Sequence, residues 1–256
     1  MSDNFEEDPE FYVANPKPRV GRGFRIVNVL IVLGIIAILI ALFLPASRSV
    51  GPAVRRAQCA NNLKQIALAL HNYEQAYGAL PPAYTVDANG RPLHSWRTLI
   101  LPYMEQTSLY ETIDLSKPWN DPANAKAFNT PVSGFRCLDS VGPPNTTTYL
   151  AIVAPNGCFI PGKARRMAEI TDYHESTLMV IDAGNGNALP WMAPVDADES
   201  FVMNLGSSSK LHHSGGTNAL FVDGSVWFLK TGVQADVRRA LITISGNEKV
   251  DQDTFH

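Results

Sequence analysis

The dominant feature of the hydrophobic pattern is one uncharged run, Ile26 to Ser47, IVNVLIVLGIIAILIALFLPAS. It has no polar face, unlike the amphipathic helices that cover globular cores. About 20 apolar residues at 1.5 Å each cross the ~30 Å hydrocarbon layer of a bilayer, and only a helix satisfies its own backbone groups there within one segment. The pattern predicts a single transmembrane helix over 24–47. A cleaved secretion signal would have a shorter apolar region and a small-residue cleavage site, and Pro45-Ala46-Ser47-Arg48 is a poor one. Past the run the period changes. Ala57, Ala60, Leu63, Ile66, Ala67, Leu70 and Tyr73 recur at helical spacing. They predict an amphipathic helix over 48–80 that prolongs the span, loosened at Gly51-Pro52 and ended by Gly78 and Pro81-Pro82. Its apolar stripe needs a partner, and residues 81–246 are the available one.

Within 81–246 the elements are shorter. Ser95 to Asp114 reads as a helix with a break at Pro102, and Ser116 to Thr130 as loop with a helical turn. Thr147–Val153 and Thr177–Ala183 read as strands, with a turn in Gly184–Asn187. Two β-rich runs flank Asp223-Gly224, a pair suited to a two-residue type I′ hairpin turn, whose central residues both need positive φ. Val233–Ile242 predicts a short helix. Residues 1–23 are polar and split in charge, a disordered leader, and 247–256 form a polar tail. The fold class is therefore α+β: a long N-terminal helix that spans a membrane and packs its far half on an antiparallel sheet.

Composition changes this picture little. The 256 residues carry a net charge of −3, too mild to nominate a nucleic-acid partner. Basic residues flank the run equally, Lys17, Arg19, Arg22 and Arg25 before it and Arg48, Arg55, Arg56 and Lys64 after it, so charge sets no orientation. The three cysteines, Cys59, Cys137 and Cys158, show no zinc-type spacing, and no metal is expected. Outside the cytoplasm one disulfide would leave one thiol over, and spacing does not choose the pair.

The chemistry-bearing side chains are few. His212, His213 and Asp223 invite a metal or acid–base reading, but Asp223 also suits a turn, and nine intervening residues in a strand would hold it far from His213. Asp172, Asp182, Asp196, Asp198 and Glu199 offer oxygens for calcium, without EF-hand spacing. Trp96, Trp119, Trp191 and Trp227 are expected in the core rather than stacked on sugars. There is no nucleophile elbow, P-loop or dinucleotide fingerprint.

Two resemblances add to this. Arg22-Gly23-Phe24 before the apolar run resembles the processing site of type IV pilins and type II secretion pseudopilins. That resemblance implies cleavage after Gly23 and methylation of Phe24, an N-terminus facing the cytoplasm, and a domain facing the periplasm or cell surface. Asn28 stands where that family carries a docking Glu, and Arg25 is unusual so near the cut. The blocks Cys59–Pro82, Ser95–Tyr110, PVSGFRC ending at Cys137, and His213–Leu229 resemble the DUF1559 family, which is abundant in planctomycetes. Its signature of a His, nine residues and Asp-Gly is matched by His213, Asp223 and Gly224. Because Cys59 and Cys137 both lie in matching blocks, the resemblance implies that they pair, leaving Cys158 free; three reduced, buried cysteines are the alternative. The expected role is a non-catalytic, pseudopilin-like structural protein of the envelope, with the lipid bilayer and other pilin-like subunits or a type II secretion-like assembly as partners. The alternatives are an anchored glycan- or calcium-binding module, favoured by aromatics on one exposed face, and a hydrolase using His213, favoured by a pocket that places His213 within reach of a carboxylate.

Overall fold

The computed structural model describes residues 22–43, 51–248 and 250–254. The chain divides into two compact units between Ser49 and Val50. In the first, α1 (Arg22–Phe43) carries no polar side chain from Val29 onward. Its side chains are described over 26–40, and every one of these is exposed. Among the described residues no helix is long and apolar enough to cross a membrane. The span expected over 24–47 is thus not carried by the described structure, and its last residues, 44–47, lie outside it, as does the joint to the next helix.

The second unit starts with α2 (Pro52–Tyr77). Pro52 opens it, where its missing N–H costs no hydrogen bond, and Gly78 closes it at φ +74° by donating its N–H to the Glu74 carbonyl. The hairpin β1 (Tyr84–Val86) and β2 (Pro92–Ser95) follows. The single helix expected over Ser95–Asp114 is instead three short turns: α3 (Trp96–Leu99), a 3₁₀ turn Leu101–Met104, and α4 (Thr107–Tyr110). Pro102 starts the 3₁₀ turn and Glu105, at φ +57°, stops it, so no continuous i to i−4 ladder forms. The short α5 (Ala125–Asn129) lies in the stretch expected as loop with a helical turn.

β3 (Thr146–Thr147), β4 (Tyr149–Val153), β5 (Leu178–Asp182), β6 (Leu189–Pro190), β7 (Ala197–Asp198), α6 (Glu199–Met203), β8 (Gly216–Phe221), β9 (Val226–Lys230) and α7 (Ala235–Ile242) complete the unit. Five strands form one sheet in the order β7-β4-β5-β8-β9. It is antiparallel except at β7, which pairs parallel with β4, a departure from the purely antiparallel expectation. The β8–β9 turn also departs from type I′. Gly224 alone has positive φ, +85°. Phe221 accepts from the Gly224 N–H and donates to the Ser225 carbonyl, which makes a three-residue loop with a bulge glycine.

Alternation along the strands puts cores on both faces. Tyr149, Ala151 and Leu220 pack with Leu63, Ile66 and Leu70 of α2. Leu150, Ile152, Ala219 and Phe221 pack with Val202 of α6 and Leu241 and Ile242 of α7. The sheet therefore sits between two helical layers, and β5 and β8 are buried along their whole length.

One ion pair lies deep inside, Arg97 with Asp196. The Arg97 side chain on α3 is fully buried. It donates to the carbonyls of Trp191, Tyr149, Ala193 and Val195 and to Asp196 at 2.6 Å, so all five of its N–H groups are used. The same Asp196 oxygen accepts from Trp96 Nε1 and the Ala151 amide. Burial pushes the Asp196 carboxyl above its usual range, against the pull of Arg97 and these donors.

Candidate functional site

The chemistry concentrates where α2, the end of β5 and the segment before β8 meet. Cys59 and Cys137 are joined in a disulfide that ties the first turns of α2 to the loop after the 3₁₀ turn Ser133–Phe135. The Leu138 amide donates to Cys59 Sγ, and the Tyr149 hydroxyl to the Cys59 carbonyl. Cys158 is buried and unpaired, and burial pushes its thiol up to about 12.

Beside the disulfide stand two histidines. His212 Nδ1 lies 2.9 and 3.0 Å from the two Asp182 oxygens, and both side chains are buried. Asp182 is itself held by the Thr148 hydroxyl at 2.6 Å. His213 Nδ1 is 3.5 Å from Asp139, which also takes the Arg55 guanidinium. Burial above all holds the His213 imidazole below its usual range, against the opposing pull of Asp182 and Asp139. Nε2 of both rings is buried and has no hydrogen-bond partner among the described residues. The two histidines line a cavity of about 430 Å³ together with Arg55, Arg56, Asn185 and Ser214.

Of the signature residues, only His213 belongs to this site. Asp223 and Gly224 lie at the other end of β8, in the hairpin turn, where the Asp223 carboxylate accepts the Ser225 amide at 2.9 Å. They are not brought together with His213. Gly23 and Phe24 fall in the first turn of α1, and Asn28 is exposed on it. The five acidic residues considered for calcium have separate partners. Asp172 accepts the amides of Gly246 and Asn247, Asp182 holds His212, and Asp196 holds Arg97. Asp198 caps α6, and Glu199 faces Arg239. Trp96 and Trp191 are buried in the core. Asp139 was not legible from sequence, because it is a lone loop carboxylate. Arg97 had one weak signal, a charge inside an otherwise core-like run.

A second surface feature is aromatic. Tyr73 lies 4.4 Å from Tyr77 and 6.2 Å from Tyr103, between ring centres. Burial and the neighbouring phenols push Tyr73 up to about 12. Next to them Leu68, Met104 and Glu105 line a groove of about 310 Å³.

The fold and this site define a mixed α+β domain with a disulfide-anchored helix and an internal histidine pair. The family described as "Protein of unknown function (DUF1559)" matches residues 48–152, the stretch that holds α2, β1 to β3 and most of β4. No curated protein and no solved structure matches the chain.

Proposed function

We propose that this is a pseudopilin-like, membrane-anchored structural protein of the cell envelope, with its second unit outside the cytoplasm and no catalytic task. The observation that carries the reading is α1: described positions such as Ile31, Leu33, Ile36 and Leu39 are apolar and each about half exposed. A helical stretch apolar on all sides and uncovered is at home in lipid or against other such helices. The uncharged sequence extends to Ser47. The Cys59–Cys137 disulfide supports an oxidising compartment for the domain. We read the histidine site as non-catalytic because, among the described residues, Nε2 of neither histidine has a hydrogen-bond partner, and His213 Nδ1 is 3.5 Å from Asp139, longer than a good hydrogen bond. The test is fractionation followed by mass spectrometry. Carbonate-washed membranes should retain the chain, and its N-terminus should be a methylated Phe24. Recovery of the full-length chain as a soluble monomer without detergent would refute anchoring, and a retained Met1 or Ser2 would refute processing.

A glycan-binding module is the second reading, favoured by the Tyr73, Tyr77 and Tyr103 face. Tyr77 is 67% exposed and can offer its ring to a sugar. Pull-down on insoluble polysaccharide should retain the wild type and lose Tyr77→Ala; equal retention of both would remove this reading.

A further inference from the structure

We infer that the Cys59–Cys137 disulfide and a thiolate-bound divalent metal such as Zn²⁺ are alternative occupants of one site, with His213 as the third ligand. Ligand atoms of Cys59, Cys137 and His213 lie within 4.8 Å of one another, and all three residues are buried. A second group shares Cys137 and adds Asp182 and His212 within the same limit. In a tetrahedral zinc site with bonds of ~2.0–2.3 Å, neighbouring ligand atoms stand roughly 3.3–3.9 Å apart, so small adjustments of the sulfurs suffice.

The independent sign of a ligand is the unpartnered nitrogen. Nε2 of His212 and Nε2 of His213 are both buried and make no hydrogen bond among the described residues, a costly state for a polar atom. Each ring faces a carboxylate through Nδ1, Asp182 for His212 and Asp139 for His213. A carboxylate on the far nitrogen is the arrangement that orients a metal-binding imidazole and raises its basicity. The Leu138 amide on Cys59 Sγ would stabilise a thiolate there.

The chemistry balances with a dithiol reductant. The reductant gives two electrons and two protons to the S–S bond and leaves as its own disulfide, producing two thiols. Zn²⁺ then binds both sulfurs and displaces the two thiol protons to solvent. Either occupant makes the same tie between α2 and the Cys137 loop, the disulfide in an oxidising compartment and the metal in a reducing one. This inference does not rest on the membrane reading above.

The test uses the full chain in detergent, oxidised or reduced with a phosphine under anaerobic conditions, and Co²⁺ as the probe. The reduced chain should bind one Co²⁺, with thiolate-to-cobalt charge-transfer absorption and the intense visible bands of a tetrahedral site, and Zn²⁺ should bleach both. The oxidised chain should show neither. His213→Gln should weaken binding at least ~10-fold, and Asp139→Asn about 10-fold through the imidazole it faces. Near-UV circular dichroism follows the fold throughout. A reduced chain that loses this signal and regains it with Zn²⁺ supports the inference. Four results would overturn it: a folded reduced chain without charge-transfer bands, a reduced chain that unfolds and is not restored by Zn²⁺, equal binding by His213→Gln, or equal binding by the oxidised chain.

Discussion

At the scale of single residues the decisive groups are buried and polar. Arg97 and Asp196 sit with no solvent to compensate either charge, so removing one strands the other. Arg97→Met should cost about 3–5 kcal/mol in urea unfolding, while Arg97→Met with Asp196→Leu should lose much less, because no charge is left buried. A loss below ~1 kcal/mol for the single variant would show that the pair does not organise this part of the fold. Cys158 gives a chemical prediction. Its thiol stays protonated at neutral pH, since burial has raised it to about 12. Iodoacetamide should therefore leave the native chain unmodified, label one cysteine after denaturation, and label three only after reduction as well, counted by intact mass. Labelling of the native chain would contradict the burial.

Asp198 sets a pH dependence. Hydrogen bonds from the Ser200 hydroxyl and the Phe201 amide hold its carboxyl below the usual range. A folded-state value below the unfolded one contributes stability above the unfolded pKa, and that contribution is lost as the pH falls through the folded one. Asp198→Ala should accordingly lower stability at pH 7, and the loss should shrink steadily as the pH falls below the ordinary carboxylate value of ~4 toward the lower folded-state value. An equal loss at both values would mean the cap is not the cause.

At the scale of elements, the β8–β9 turn depends on one conformation. A Cβ at Gly224 would meet nothing closer than 3.7 Å, so Gly224→Ala tests backbone strain alone and should cost about 1–2 kcal/mol. Gly184 also has positive φ, and a Cβ there would collide with the Lys210 carbonyl carbon and oxygen. Gly184→Ala should cost clearly more than Gly224→Ala in the same thermal-melt series, and the reverse order would contradict the packing. The elements themselves were unevenly legible. α2 showed its period because one face meets the sheet, with Cys59, Leu63, Ile66 and Leu70 buried at helical spacing. Ser95–Asp114 was legible in part: Pro102 marked one break, but its apolar positions serve three separate turns, and nothing in the period announced the left-handed Glu105 that ends the second. The Asp-Gly pair announced a turn but not its type, since loop length is decided by the register of the strands it joins.

At the scale of the whole molecule, the disulfide spans 78 residues of sequence and fastens α2 to the sheet-bearing unit. By loop-closure entropy its removal should cost about 4–5 kcal/mol, measurable as the difference in denaturant midpoint between the wild type and Cys59→Ser with Cys137→Ser. A negligible difference would mean that the two layers hold together by packing alone.

The sequence by itself determined the local and the repetitive: an uncharged apolar run, an amphipathic helix with its glycine stop, β-rich runs and a turn at Asp223-Gly224, because period and turn chemistry are properties of neighbours along the chain. What only the tertiary structure decided is nonlocal. It placed Asp139 and Asp182 beside the two histidines and gathered Cys59, Cys137 and His213 into one buried cluster. Those groups come from α2, a loop and the approach to β8, so no spacing rule connects them. Their meeting follows from how α2 lies across the sheet.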